Sequence, residues 1–158
     1  SSEHTHYEGK PWQVFWQENC YMGVDCLGIC KYHTTFLGAT LPNFEDWAKV
    51  LYFNTGLDLS PKDIWDVAWR CNMLERMFQL REGLKRRDLR KGDMLNKRYF
   101  EEPTNRGAPA VVGRVIDKKK FEEMISEFYE YKGLDEEGVP KPETLKELGL
   151  ENEPSHLL

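Results

Sequence analysis

Ser60-Pro61-Lys62-Asp63-Ile64-Trp65-Asp66-Val67-Ala68-Trp69-Arg70-Cys71-Asn72-Met73-Leu74-Glu75-Arg76-Met77-Phe78-Gln79-Leu80-Arg81-Glu82-Gly83-Leu84 is the stretch that decides the fold. Ser60 is placed to cap a first turn, Pro61 stands where a missing N–H costs nothing, and Asp63 follows the cap by three residues, so a helix starts here. Ile64, Val67, Ala68, Cys71, Leu74, Phe78 and Arg81 then follow one stripe, and Trp65, Trp69, Met73, Met77, Leu80 and Leu84 broaden it. So wide a face implies cover on more than one side. This helix is expected to be the centre of the core, with Gly83 near its end.

Upstream, Asn43 with Glu45 and Asp46 predicts a second capped helix from Phe44, carrying Trp47, Val50 and Leu51 and stopped by Gly56. Earlier still, Pro11 opens a helix in which Trp12, Phe15, Trp16, Asn19 and Cys20 recur at three- and four-residue spacing. It is expected to run to about Met22, after which Gly23 and Gly28 bracket a loop or helix junction. The apolar, Thr-rich run from Lys31 to Leu37, meeting Gly38, reads as a short helix or extended connector.

Downstream, residues 88–116 lose all sustained period. One or two helical turns fit Met94–Phe100, and short extended pieces fit 110–112 and 115–116. A loop of this length is expected to run over the surface of a larger body. Asp117 then caps a helix with Phe121, Met124, Ile125, Phe128 and Tyr131 on one side and Gly133 as its stop. Pro140 and Pro142 lead into a last short helix through Leu148, ended by Gly149, and residues 151–158 read as a loose polar tail. The fold class is therefore mostly α, a single irregular helical domain over residues 1–150.

The size of 158 residues suits one domain with a real core, and a hydrophobic fraction of 40% with 13% aromatic residues indicates a globular chain. A net charge of −5 argues against a broad nucleic-acid surface. No apolar run approaches the roughly 20 residues that cross a bilayer. The basic clusters at 85–87, 90–91 and 118–120 read as solvated helix ends. Four cysteines without a secretory signal suggest thiols in a reducing compartment, hence a cytoplasmic location. Ser1 is not an initiator methionine, which leaves room for a missing upstream part.

Chemistry concentrates in Val24-Asp25-Cys26-Leu27-Gly28-Ile29-Cys30-Lys31, which sets an acid, two thiols and a glycine in an apolar setting. Cys20, Cys26, Cys30 and Cys71 lack the paired Cys-x-x-Cys steps of structural metal sites, so an independent four-cysteine metal module is disfavoured. Cys20 and Cys71 read as core residues. Cys30 follows a glycine break and an acid, where a thiolate can face a ligand, but from composition alone core packing is the favoured reading. Asp25 is as readily a cap or solvated acid as a ligand contact. His4 and His6 read as a polar lead and His33 as a hydrogen-bonded or surface residue, with metal or cofactor contact as the other reading of each.

The same run also carries a family resemblance. Asp25, Gly28 and Cys30, with Lys31-Tyr32 and Thr34-Thr35-Phe36, resemble the last cofactor-contacting segment of the tungsten-dependent aldehyde ferredoxin oxidoreductases, an Asp-Ser-Leu-Gly-Leu-Cys-Lys-Phe-type run followed by Thr-Thr-Phe. Ile64-Trp65, Asn72-Met73-Leu74-Glu75-Arg76-Met77-Phe78 and Leu80-Arg81-Glu82-Gly83 are similar to the family's Asn-Leu-Glu-Arg-Leu-Phe-Asn-x-Arg-x-Gly segment. So are Arg98-Tyr99-Phe100-Glu101-Glu102-Pro103, Tyr129-Glu130-Tyr131-Lys132-Gly133 and Gly138-Val139-Pro140 to later family runs. The resemblance extends from about Gln17 to Leu150.

It implies the C-terminal part of an enzyme that oxidises aldehydes to acids at a tungsten (or molybdenum) held by two pterins and passes electrons through a 4Fe-4S cluster to ferredoxin. Asp25 would accept from pterin N–H groups, the Ile29 backbone would add to that contact, and Cys30 would be the fourth cluster thiolate. Cys26 stands where the family commonly has Ser, and packing is the favoured reading for it. The upstream Cys-x-x-Cys-x-x-x-Cys ligands, the other pterin-binding acidic motif and the acid and His near the metal are missing from this chain. It is therefore expected to be inactive and cofactor-free alone, completed by a missing N-terminal part of the same enzyme or by a partner subunit. The alternative is a helical interaction or scaffold domain without cofactor.

Overall fold

The computed structural model describes residues 6–34, 41–86, 88 and 92–153. Among them six helices appear in order: α1 (Lys10–Leu27), α2 (Phe44–Thr55), α3 (Pro61–Arg81), α4 (Arg98–Glu101), α5 (Lys118–Lys132) and α6 (Pro142–Glu147), with a 3-10 turn at Lys31–His33. No strand occurs among the described residues; a lone bridge joins Leu134 and Pro140. None of these helices is long and apolar enough to cross a membrane. The mostly α expectation is met.

Starts and stops are local chemistry. α2 and α3 each open on a capping box: Asn43 with Asp46, and Ser60 with Asp63. Asp117 caps α5 through the Lys120 N–H. Gly56 and Gly133 close α2 and α5 in the left-handed conformation.

α3 is the spine of the molecule. At its start Ile64 packs in a cluster with Cys20 and Val24 of α1 and Trp47 and Ala48 of α2. Further along, Met73 and Met77 join Tyr129, Leu134, Leu145, Leu148 and Leu150 in a second cluster. α1 lies against both α3 and α5.

The buried face of α3 differs from the expected stripe. Val67 and Phe78 are 41% and 49% exposed, while Asn72 and Arg76 are buried. Both polar residues are buried because each finds partners. Asn72 Nδ2 donates to Asn19 Oδ1 at 3.0 Å, and Asn19 donates on to the Phe15 carbonyl at 3.1 Å, tying α3 to α1. The α5 face is also turned. Tyr129 and Lys132 are buried and Tyr131 is exposed, its ring edge against Trp12. Lys132 is accommodated because Nζ reaches Glu18 Oε2 at 2.7 Å and its carbonyl accepts from Trp69 Nε1 at 3.2 Å.

α1 runs past the expected end at Met22. Gly23 is helical and buried, and a Cβ there would lie 3.5 Å from both Phe44 and Trp47 and 3.8 Å from Ala68. Those are ordinary packing distances, so Gly23 sits in the seam between α1, α2 and α3 without being forced to be glycine by a clash. Apolar residues 110–112 and 115–116 are not extended strands, since no neighbouring strand pairs with them among the described residues. The chain instead closes on itself: the Thr104 N–H donates to the Arg114 carbonyl at 3.0 Å, and the Gly113 N–H donates to the Thr104 carbonyl at 2.7 Å. Arg86, expected on a solvated helix end, is buried: it donates to the Glu136 carbonyl at 2.5 Å and to Ser126 Oγ at 2.6 Å, and lies on the Tyr129 ring.

A buried polar knot fixes the spine to the C-terminal part. Arg76 donates from Nε to the Gly138 carbonyl at 2.8 Å and from its two Nη atoms to Asp93 at 3.1 and 2.8 Å. Tyr129 donates its hydroxyl to the same Asp93 carboxylate. Burial opposes ionisation of Asp93, but the bonds from Arg76 and Tyr129 outweigh it and hold this carboxyl below the usual range. The Tyr129 phenol is pushed up to about 12 by burial and by the Asp93 bond. Unfolded, a tyrosine titrates near about 10. The folded state therefore keeps this proton more firmly, and its stabilising effect is full below about pH 10 and fades toward pH 12. Urea titrations across that window should show the wild type losing about 2–3 kcal/mol more than Tyr129→Phe. Equal slopes would contradict the assignment.

Candidate functional site at the end of α1

The last turn of α1 carries buried Val24 and exposed Asp25 and Cys26. Gly28 then adopts φ 67°, a conformation that disfavours any side chain, and the helix closes with the Gly28 N–H on Asp25 O at 3.2 Å and the Ile29 N–H on Val24 O at 3.0 Å. The chain turns here and Cys30, exposed, stands at the head of the 3-10 turn. That turn is pinned by buried Thr34, whose hydroxyl donates to Lys31 O at 2.8 Å. Lys31 reaches back to Asp25 Oδ2 at 2.9 Å and lies over the Tyr21 ring. Both partners of that ion pair are substantially exposed, so it contributes at most about 1 kcal/mol and is easily exchanged.

Asp25 and Cys30 thus flank one glycine turn, and both side chains meet solvent. The Ile29 N–H is spent inside the helix cap, which leaves its carbonyl as the backbone group for an outside donor. A cleft of about 610 Å³ lies elsewhere, between Tyr7, Arg98, Tyr99 and Arg114, and none of Asp25, Ile29 and Cys30 lines it.

The four sulfurs do not converge. Cys20 is buried in the first cluster and Cys30 is exposed. Cys71, expected in the core, is half-buried, and its Sγ lies 3.7 Å from the Sγ of exposed Cys26. Cys26 was expected to pack; it faces solvent instead, because α1 extends far enough to carry it on its last turn. Burial, the hydrogen bond to Cys71 and the charges of Cys71 and Asp25 push the Cys26 thiol up. No group of three or more His, Cys, Asp or Glu side chains fit to hold a metal ion occurs among the described residues. His33 is exposed, its N–H on Cys30 O at 3.0 Å, and His4 lies outside the described residues.

The architecture recurs inside larger polypeptides. It matches part of the active site complex BamBC of benzoyl coenzyme A reductase in complex with 1,5 dienoyl-CoA, with a TM-score of 0.72 at 20% identity over 97% of this chain and 21% of that one. That likeness concerns the fold. The chain belongs to the aldehyde ferredoxin oxidoreductase family, its residues 1–150 matching the family model described as aldehyde ferredoxin oxidoreductase, domains 2 and 3. It is 36% identical over 128 residues to the tungsten-containing aldehyde ferredoxin oxidoreductase of Pyrococcus horikoshii, covering 81% of this chain and 19% of that protein. It is 32% identical over 127 residues to the protein of that name in Pyrococcus furiosus (80% and 19%). It is also 29% identical over 154 residues to the aliphatic sulfonate oxidoreductase, WOR-like subunit of the latter organism (94% and 23%). The chain spans about a fifth of the length of these relatives.

Proposed function

We propose that this chain, a single helical domain over residues 1–150, supplies one side of the cofactor site of a cytoplasmic tungsten (or molybdenum) bis-pterin aldehyde oxidoreductase. The observation that carries the reading is the pair of exposed groups flanking the Gly28 turn, an acid on the last turn of α1 and a thiol at the head of the 3-10 turn, in a chain of this family. The donor set fits such a role. A carboxylate paired with a solvent-accessible lysine can exchange that partner for pterin N–H groups, and the Ile29 carbonyl, four residues on, is a second acceptor for the same ligand. The Cys30 thiol suits a 4Fe-4S cluster as one ligand of four, the other three coming from the remainder of the enzyme or a partner subunit. Bound there, metal and cluster supply the oxidation of an aldehyde to an acid and the path of electrons to ferredoxin. The chain's own residues hold and orient. Alone it is inactive.

The test is oxygen-free purification of the protein from its own source, with native mass and tungsten, molybdenum and iron content. Co-migration with a larger polypeptide and those metals is expected. In that assembly Cys30→Ser should lose the cluster's iron and paramagnetic signal, whereas Asp25→Asn should loosen the pterin while cluster iron stays. Undiminished cluster iron in Cys30→Ser overturns the ligand assignment. A metal-free chain migrating alone would favour a helical scaffold instead.

A further inference from the structure

The Cys26–Cys71 pair stands apart from the residues assigned to the cofactor. The two sulfurs come from different helices, 45 positions apart in sequence, and meet at 3.7 Å. Their access differs: Cys26 is exposed on the last turn of α1, and Cys71 is half-buried on α3. A disulfide requires the sulfurs to approach to about 2.05 Å, a closure of about 1.6 Å that side-chain rotation and a small shift of a terminal helical turn can share. Behind Cys26 the helix is anchored by buried Val24 and Gly23, while Gly28 beyond it has open space around it.

We propose that Cys26 and Cys71 form a thiol–disulfide exchange site for low-molecular-weight disulfides, Cys26 attacking and Cys71 resolving. In the first step the Cys26 thiolate bonds to one sulfur of R–S–S–R; the disulfide breaks and one RS⁻ leaves, taking up the proton that Cys26 gave up. In the second, the Cys71 thiolate attacks the Cys26 sulfur and expels the second RS⁻, which is protonated in turn. Two protein thiols lose two electrons and two protons, and the small disulfide gains them as two thiols. The product is a covalent tie between the end of α1 and the middle of α3. The inference concerns the chain itself and does not rest on the cofactor reading, since neither Asp25 nor Cys30 takes part.

The experiment treats the reduced, full chain with excess glutathione disulfide at mildly alkaline pH and maps each cysteine by mass spectrometry without reduction. Wild type is expected to yield Cys26 and Cys71 as a cross-linked peptide carrying no glutathione, whatever glutathione the exposed Cys30 takes up. Cys71→Ser should accumulate glutathione on Cys26 stoichiometrically, and Cys26→Ser should leave Cys71 unmodified over the same time. Circular dichroism of both variants confirms that they are folded, and the wild-type map stands without them. Stable glutathione on Cys26 with Cys71 still a thiol in the wild type, or no reaction at Cys26, overturns the proposal.

Discussion

Arg76→Ala is expected to destabilise the fold by about 3–5 kcal/mol, read as a lowered urea midpoint with an unchanged slope. Arg76 is nearly fully buried on α3, and its guanidinium satisfies the Gly138 carbonyl and both oxygens of Asp93 while standing beside the Tyr129 hydroxyl. Truncation takes two donors from a largely buried carboxylate, leaving it the Tyr129 phenol, and strips the Gly138 carbonyl of the Arg76 bond. It also removes aliphatic stem from the second core cluster. Against a total stability of about 5–15 kcal/mol, such a loss takes much of the fold's margin. Arg76→Met combined with Asp93→Asn should cost clearly less than the two single changes added together, because no uncompensated charge remains. A loss below about 1 kcal/mol for Arg76→Ala would show that the knot is not structural.

Gly138→Ala is expected to cost about 2–4 kcal/mol through the same knot, from the other side. Its φ of 80° already disfavours a side chain, by about 1–2 kcal/mol. A Cβ would also lie 2.0 Å from Arg76 Nη2 and 2.8 Å from the Tyr129 hydroxyl. An arginine tip in solvent would swing aside, but this one is held by Asp93 and by Gly138 itself, so moving it breaks those bonds. When Gly138→Ala is made on top of Arg76→Ala, the penalty should fall by the part that Arg76 causes, leaving the backbone strain and the contact with Tyr129, and a thermodynamic cycle measures the difference. An unchanged penalty in the double variant would place the cost elsewhere.

The helices were legible where the chemistry is local. Asn43, Ser60, Pro61, Asp63 and Asp117 announce starts within four residues of themselves, and the structure uses each as expected. The inward face of α3 was less so, because burial of Asn72 and Arg76 depends on partners 53 and 62 positions away. A count of apolar residues passes over both and takes in Val67 and Phe78. Gly23 misled for a related reason: glycine is read as a break, but here it lies inside α1 and faces Phe44, Trp47 and Ala68 at ordinary packing distance, contacts that only the fold reveals. At the site, spacing alone left Asp25 and Cys30 open between packing and ligand contact; the roles of Asp25, Ile29 and Cys30 come from the family resemblance, and the family match extends over residues 1–150. The pairing of Cys26 with Cys71 left no trace in sequence. Neither residue has a regular spacing to the other, and the contact arises only because α1 continues past Gly23 and carries Cys26 alongside α3.

The spine arrangement has a mechanical meaning as well. Because α3 lends Ile64 to one cluster and Met73 and Met77 to the other, neither cluster can come apart while leaving the helix whole. A single unfolding transition is therefore expected, in which the two clusters are lost together. The Gly28 turn is tied to the first cluster through Val24 and the Arg76 knot to the second through Tyr129, so both hang from the same helix.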